Sequence, residues 1–323
     1  MNLGQKVEEG IFRVRIPIEG SPLKEVNTYL IVSSKKILIV DPGPNHPLCL
    51  EILCLVLKES KLDDKEKEVF VTHFHLDHIG LCAKLDGMVL RFFLNEIEAQ
   101  IIEEKLDERQ KEALKLMKQH GFPENELEAL KIYHPAKALP PFLPSFHPVK
   151  EGYKLLSGET ELIVIETPGH SPGHCCLYEP NKRILFSGDH LLKEITPNVS
   201  LWSEEVDVLN LYLTNLKRLT ELEVKIVLPG HGDPFSEFEK RIGELERHHA
   251  ERCNEILNLV KNRPLTAYEI ASLMRWDVKE KWDDLPTFQK WLGVSEVLAH
   301  LIYLERQKKI KRMRRKDYYL WTA

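Results

Sequence analysis

The chain has 323 residues, 43% hydrophobic and 29% charged, with a net charge of −5. That length exceeds the ~250–300 residues at which a single core stops growing, so one large domain and a small one are expected. The mild acidity gives no whole-protein attraction to nucleic acid or an acidic membrane, no stretch approaches the ~20 apolar residues of a membrane span, and the opening MNLGQKVEEGIFRVRIPIEG lacks the apolar core of a signal peptide.

Short runs rich in Ile, Val, Leu and Tyr at 11–16, 27–32 and 36–40 predict strands, the last ending in the turn Asp41-Pro42-Gly43-Pro44. Apolar residues at helical spacing predict a helix over 47–58. A strand at 69–72 then leads into a histidine-rich loop, and Ile79 to Ala83 reads as the helix behind it. Strand followed by helix, repeated, indicates an α/β arrangement. Residues 95–150 break that rhythm. Asn95 with Glu98, and Asp107 with Gln110, carry N-cap signatures, Gly121 is a helix stop, and five prolines between Pro135 and Pro148 predict a stiff return loop. Strands resume at 153–156, 161–166, 175–178, 183–187 and 224–228, with a helix at 206–219. A helix over about 236–261 leads out of this domain, and Thr266-Ala-Tyr-Glu269 is a capping box opening another. The apolar stripe from Val294 and a hairpin over 309–313 and 318–321 complete a helix, helix, hairpin pattern that reads as a winged-helix-like module. The expected division is a catalytic domain over 1–240 with a helical insertion at about 91–150, a connecting helix over 241–262, and the small domain over 263–323. The six cysteines show no paired framework, and two are adjacent (Cys175, Cys176), which indicates free thiols in a reducing cytoplasm.

The chemistry concentrates in THFHLDHIG. Three of the chain's 14 histidines, with an aspartate, fall between His73 and His78. Alternate residues of a loop point the same way, so His73 and His75 can reach one metal ion while Asp77 and His78 turn to a second. Further donors follow, each just past a predicted strand: His170 in TPGHSPGH, Asp189 in SGDH, His231 in PGHGD. Strand ends are where α/β sheets present ligands.

This ordered set resembles the metallo-β-lactamase superfamily, and more closely its glyoxalase-II-like hydrolases, over roughly residues 10 to 240. The resemblance implies a four-layer αββα sandwich with metals at one edge. It implies that His73, His75 and His170 hold one ion, that Asp77, His78 and His231 hold the other, and that Asp189 bridges them. Two departures stand out: the insertion is long, and the winged-helix-like tail replaces the glutathione-binding domain of true glyoxalase II. Nitrogen and carboxylate ligands without thiolate suit Zn²⁺, and also Fe or Mn. Two such ions about 3.5–4 Å apart bring a bridging water towards a pKa of about 7, giving a hydroxide that attacks a carbonyl carbon or a phosphorus, with Asp77 orienting it. The net positive site favours small-to-medium anionic or acyl substrates.

The expectation is therefore a cytoplasmic dinuclear hydrolase cleaving an ester, thioester or lactone, its insertion either covering the pocket or forming a homodimer surface. The alternatives are a nuclease acting on single-stranded RNA, to which Glu246-Arg-His-His-Ala-Glu-Arg252 and the tail are similar, and a winged-helix ligand sensor without turnover. The run KKIKRMRRK at 308–316, with seven basic side chains in nine, is either a nucleic-acid contact or a solvated face. Asp41 either supports the metal loop or satisfies its own turn. His174 reads as a packing or ligand-supporting histidine, and His190 as a substrate contact, a ligand support or a structural residue. Tyr29, His134 and His147 are weaker pocket candidates. His248-His249 read as solvated, and Met274, Trp276, Trp282 and Trp291 as core of the small domain.

Overall fold

The computed structural model describes residues 4–21, 23–103, 106–133, 140 and 142–323; His134 lies outside them. The chain divides into two compact units, Met1–Glu103 with Ala138–Pro197 and Arg218–Arg241, and Glu104–Lys137 with Asn198–Lys217 and Ile242–Ala323.

The first unit holds two sheets. The larger runs in sequence order through β1 (Gly4–Glu8), β2 (Ile11–Pro17), β3 (Glu25–Val32), β4 (Lys36–Val40), β5 (Glu66–Phe70), β6 (Arg91–Asn95) and β7 (Phe146–Val149). It is antiparallel up to β4 and parallel from there on. The smaller has the order β12 (Ile226–Pro229), β11 (Ile184–Gly188), β10 (Cys175–Glu179), β9 (Thr160–Glu166) and β8 (Lys154–Ser157). The strand alternation explains why they stack. In β4, Leu38 and Val40 join a cluster with Phe70, Phe93, Leu162, Val164, Leu177 and Phe186, which lies between the sheets. Ile37 and Ile39 point the other way, onto Leu53, Val56 and Leu57 of α1 (Pro47–Glu59). Each such side chain contributes roughly 1.5–3 kcal/mol on burial. The helix α1 starts where Pro47 follows His46, whose Nδ1 accepts the Leu48 N–H at 3.3 Å. The result is the expected αββα architecture, two sheets flanked by helices.

The insertion differs from expectation in its bounds. Residues 91–95 and 146–149 are not part of it but strands β6 and β7, which extend the parallel half of the large sheet. Pro148 sits in β7, an edge strand, where its missing N–H costs no ladder bond. Behind the histidine loop the chain forms two single-turn helices, α2 (Leu76–Ile79) and α3 (Cys82–Leu85), rather than one. Gly80 lies between them, and only glycine fits there, since a Cβ would lie 2.5 Å from the Leu76 carbonyl oxygen and 2.6 Å from the Asn45 nitrogen.

Within the insertion, α4 (Glu96–Glu103) belongs to the first unit, whereas α5 (Leu106–Gln119) and α6 (Glu124–Tyr133) belong to the second. Asp107 lies inside α5 rather than ahead of it, and Gln110 donates to the Leu130 carbonyl on α6 at 3.1 Å. The second unit also contains most of α7 (Val208–Leu219) and α8 (Phe238–Val260), with α9 (Ala267–Leu273), α10 (Thr287–Arg306) and the hairpin β13 (Lys311–Arg315) and β14 (Tyr318–Thr322). Its interlock explains why 104–137 joins the C-terminal segment. His120, at the end of α5, stacks on Trp321 at 5.8 Å and its Nε2 lies 3.5 Å from Glu204. Gly121, with φ +88°, allows the backbone to meet Thr266, the N-cap of α9; a Cβ would sit 2.7 Å from that side chain. The capping box of Thr266 and Glu269 forms as expected.

His249 is not solvated. It is buried on α8, its Nδ1 3.1 Å from His300 Nε2 on α10, and its ring packs on Tyr212. The reversal is tertiary: a helix rich in charge still turns one stripe inward. Met274 and Trp291 are buried here, and Trp276 stacks on Trp282. Glu296, fully buried beside Arg252 and Asn198, has its carboxyl pushed up to about 7 by burial, against the opposing pull of Arg252. The protonated form is therefore the one the fold favours. Its stabilisation is complete below the unfolded value of about 4.5 and is lost as pH rises through about 7. Relative to wild type, E296Q is expected to gain ~3 kcal/mol of stability between pH 5 and pH 8. Urea unfolding of both proteins at the two pH values measures this, and a gap that does not change with pH would count against it.

Candidate metal centre

All seven expected donors lie in the first unit and converge. Three groups have their donor atoms within 4.8 Å of one another: His73, His75 and His170; His73, His78 and Asp189; Asp77, His78 and His231. The strands explain the convergence. β5 delivers the 71–78 loop, β9 the His170 loop, β11 Asp189 and β12 the His231 loop, each from its C-terminal end.

Hydrogen bonds behind the imidazoles set which nitrogen faces the centre. The Asp41 carboxylate accepts from the Thr72 N–H at 2.8 Å, from the Thr72 hydroxyl at 2.8 Å, and from His78 Nδ1 at 2.8 Å. Having donated its proton, the Thr72 hydroxyl accepts from His73 Nδ1 at 3.0 Å. The carbonyl of Glu25 accepts from His231 Nδ1 at 2.7 Å. In each ring Nδ1 therefore carries the proton, and the Nε2 lone pair is turned inward. Asp41 thus does more than satisfy its own turn, and it holds φ +53°, a backbone conformation stored at a functional position.

The donor set fits cations. His75 Nδ1 faces His73 Nε2 at 2.9 Å and His170 Nε2 at 3.0 Å, a three-nitrogen convergence that a single proton cannot satisfy. Asp189 stands between the groups, with Oδ2 3.6 Å from His170 Nε2 and 3.4 Å from His231 Nε2, and Oδ1 3.6 Å from His78 Nε2. Among the described residues, His78 Nε2, His231 Nε2 and Asp189 Oδ1 are buried without a hydrogen-bond partner. Buried polar atoms left this way are costly unless something binds them, and an ion at their midst does.

The two halves differ electrically. Burial pushes His75 down to about 3, reinforced by His170, and holds His73 well below its ordinary value, so their lone pairs are free. In the other half burial opposes charge on His231, yet Asp189 and Asp77 raise it to about 10; His78 is likewise raised by Asp189, Asp41 and Asp77. Burial works to raise the Asp77 carboxyl, but His78 and His231 bring it down to about 2. These carboxylates demand positive charge at the imidazole nitrogens, and metal binding there releases protons.

The remaining candidates divide. His174 is not a ligand: its Nε2 accepts the Asp189 N–H at 3.1 Å, so its Nδ1 donates to Thr167 Oγ1 at 2.8 Å. It positions Asp189. His190 is buried 5.9 Å from His174, ring to ring, and burial lowers it to about 3. Tyr29 is buried and donates to the Pro229 carbonyl at 2.8 Å, while Asn27 donates to the carbonyls of Pro229 and Gly232; both clamp the His231 loop. His147 sits apart, beside Tyr153 and Phe93. Gly188 of SGD and the first glycine of PGHG, Gly230, are steric requirements. A Cβ on Gly188 would lie 2.6 Å from His174 Nε2, and one on Gly230 would lie 2.5 Å from Asp189 Oδ1.

Two supports lie outside the residues that the sequence assigns to the site. Arg13, buried in β2, donates to Asp233 at 2.9 Å and to the Gly232 carbonyl at 3.2 Å, bracing the loop of His231. Glu98, on α4, accepts from the Phe74 N–H, the Ser171 hydroxyl and the Gly173 N–H. Asn95 caps α4 as expected, accepting the Ile97 N–H at 2.8 Å, but the Glu98 carboxylate turns to the site. No local signal reveals this, since its partners are 24, 73 and 75 residues away.

Comparison with known proteins agrees with this geometry. The Metallo-beta-lactamase superfamily profile matches residues 22–231, more than half of the chain. The chain belongs to the metallo-β-lactamase superfamily. It is 27% identical over 311 residues to the Probable metallo-hydrolase YqjP of Bacillus subtilis, covering 94% of each. A metallo-beta-lactamase family protein from Thermus thermophilus superposes with a TM-score of 0.81 at 29% identity, over 98% of this chain and 100% of that one. An Atrochrysone carboxyl ACP thioesterase from Aspergillus fumigatus is 23% identical over 255 residues, 77% of this chain and 65% of that protein. Hydrolysis and divalent-metal binding are the chemistry of the metallo-β-lactamase superfamily, and the His and Asp groups here suit both. Among the described residues no helix is long and apolar enough to cross a membrane.

Proposed function

We propose that this protein is a dinuclear metallohydrolase of the glyoxalase-II-like branch that cleaves an ester, thioester or lactone of small to medium size. The observation that carries the reading is the convergence of seven donors in three overlapping groups, with Asp189 within 3.6 Å of His78 and His170 and 3.4 Å of His231. His73, His75 and His170 would hold one divalent ion and Asp77, His78 and His231 the other, with Asp189 bridging; Zn²⁺ suits the donors, as do Fe and Mn. When bound, the ions lower the pKa of water and polarise the scissile carbonyl.

The chain's own residues do the rest. Asp41, Thr72 and the Glu25 carbonyl hold the rings so that lone pairs meet the ions. Asp77 is the more open carboxylate, its side chain 23% exposed against 9% for Asp189, which suits it to orient the attacking water. Two carboxylates against two divalent cations leave a net positive site that favours anionic or acyl substrates. The thioesterase name of a distant relative supports acyl chemistry. Six free cysteines support a cytoplasmic setting, and α9, α10 and the β13–β14 hairpin support a winged-helix-like end to the chain.

The second reading, cleavage of single-stranded RNA, is favoured by the hairpin. Arg312 is engaged by Glu204 and Glu305, but Lys311, Arg314, Arg315 and Lys316 are exposed. Against the sensor reading, every residue from Gly293 to Ile302 on α10 is buried, so that stretch offers no exposed side to a DNA groove. The metal-loaded protein should be assayed on acyl thioesters, aryl esters, lactones, single-stranded RNA and a phosphodiester, with D77A as the blank. Turnover confined to the acyl set is expected. Turnover of RNA that is lost when the exposed basic residues are neutralised would replace this reading with the nuclease.

A further inference from the structure

We propose that Glu98 is a positioning residue for one half of the metal centre: its carboxylate fixes the spacing between the His73–His75 loop and the His170 loop, and so sets the affinity for the ion those three histidines hold. The inference rests on the ligand assignment above and adds to it a residue from outside the ligand motifs.

Glu98 is fully buried. Its Oε2 accepts the N–H of Phe74, the residue between His73 and His75, at 2.7 Å. Its Oε1 accepts the Ser171 hydroxyl at 2.8 Å and the Gly173 N–H at 2.6 Å, both just beyond His170. One carboxylate therefore ties two loops that meet nowhere else in sequence, and both serve the same three-histidine group. The approach is tight. A Cβ on Gly173 would lie 2.4 Å from Asn95 Oδ1 and 2.9 Å from Glu98 Cγ, so the start of α4 rests directly on the loop backbone.

The other half is supported separately. Asp41 orients His78, and the Glu25 carbonyl orients His231. Asn27, Tyr29 and the Arg13–Asp233 pair hold the 229–233 loop. Phe74, Ser171 and Gly173, which donate to Glu98, all stand outside that half, so a defect at Glu98 should weaken one ion and spare the other.

The residue type is also dictated. Among its partners are two backbone N–H groups and a hydroxyl, which a carboxylate can meet with acceptors on both oxygens. Glutamine has the same shape, but its amide nitrogen would confront an N–H on one loop or the other. The loops would then part by the difference between a hydrogen bond and a contact, and metal affinity follows such outer supports by about 10–100-fold.

The test is stepwise removal of Zn²⁺ from the zinc-loaded full-length protein by a competing chelator, with the dissociation constant of each ion read separately and unfolding followed in parallel. E98Q is expected to weaken the first ion by about 10–100-fold and to leave the second within a factor of about three, with little change in the unfolding of the metal-free protein. S171A, which removes the hydroxyl donor and no backbone donor, should weaken the same ion by about fivefold, and it keeps the test open if E98Q folds poorly. H170A serves as the reference, since it should lose that ion outright. Equal weakening of both ions, or wild-type constants in E98Q and S171A while H170A loses an ion, would overturn the role of Glu98 alone. Two ions held at wild-type affinity in H170A would overturn the ligand assignment and this inference with it.

Discussion

Asp189→Ala is expected to strip the protein of metal and abolish hydrolysis. Asp189 lies within 3.6 Å of histidines from both halves, so its loss would remove a ligand from each proposed ion at once. It also removes negative charge from a buried site proposed to hold two cations, where little solvent screens the change. Deleting a single preorganised donor from an active site costs about 10²–10³-fold in rate, and a shared ligand should cost more. Bound metal, counted by atomic emission, should fall from two ions per chain to one or none. The fold should survive, because the apolar cluster between the sheets makes no use of this carboxylate. Asp189→Asn, which keeps the shape and drops the charge, should behave like the alanine variant if charge is what matters. Full activity with two bound ions in either variant would end the dinuclear reading.

Asp41→Asn tests the tautomer logic and should come close to the same effect without touching a ligand. The backbone is not the issue, since asparagine accepts positive φ as readily as aspartate. What changes is the pattern of donors. If the asparagine oxygen keeps the Thr72 N–H, its amide nitrogen replaces the oxygen that receives the Thr72 hydroxyl and His78 Nδ1. His78 Nδ1 must then accept, which moves its proton to Nε2, the nitrogen turned towards the metal. The Thr72 hydroxyl must accept from the new amide and donate towards His73 Nδ1, which moves that proton as well. One histidine from each half thus presents N–H where a lone pair is needed. An outer support of this kind is worth about 10–100-fold, and two affected ligands predict a loss of roughly 10²–10⁴-fold at limiting metal. A wrong tautomer alone can cost ~10⁴-fold in a hydrolase. Excess Zn²⁺ should recover part of the activity of D41N and none of that of D189A, and the same metal dependence in D41N as in wild type would refute the argument.

Both predictions depend on residues that the sequence displays unevenly. The seven donors are legible because metal ligation demands side-chain types that cores avoid, at strand ends that local patterning locates. His73, His75, Asp77 and His78 share one loop, and the glycines just before Asp189 and His231 mark close backbone approach. The αββα layering is legible for a similar reason. A strand such as Lys36–Val40, apolar at four successive positions, must be covered on both faces.

The sequence by itself therefore determined which His and Asp side chains the strand ends bring together. Only the tertiary structure decided how those side chains are oriented. Glu98 resembles an ordinary cap residue, Arg13 an ordinary strand residue and His249 a solvated helix residue. Each is defined by a partner far along the chain, at a distance over which local pattern carries no information. The same holds for residues 91–95 and 146–149, which become sheet strands because β5 offers an unpaired edge to the first and the first offers its own to the second. Ligand identity is a property of residue type and spacing. Ligand geometry is set by hydrogen bonds that close across the fold, and these exist only once the loops have met.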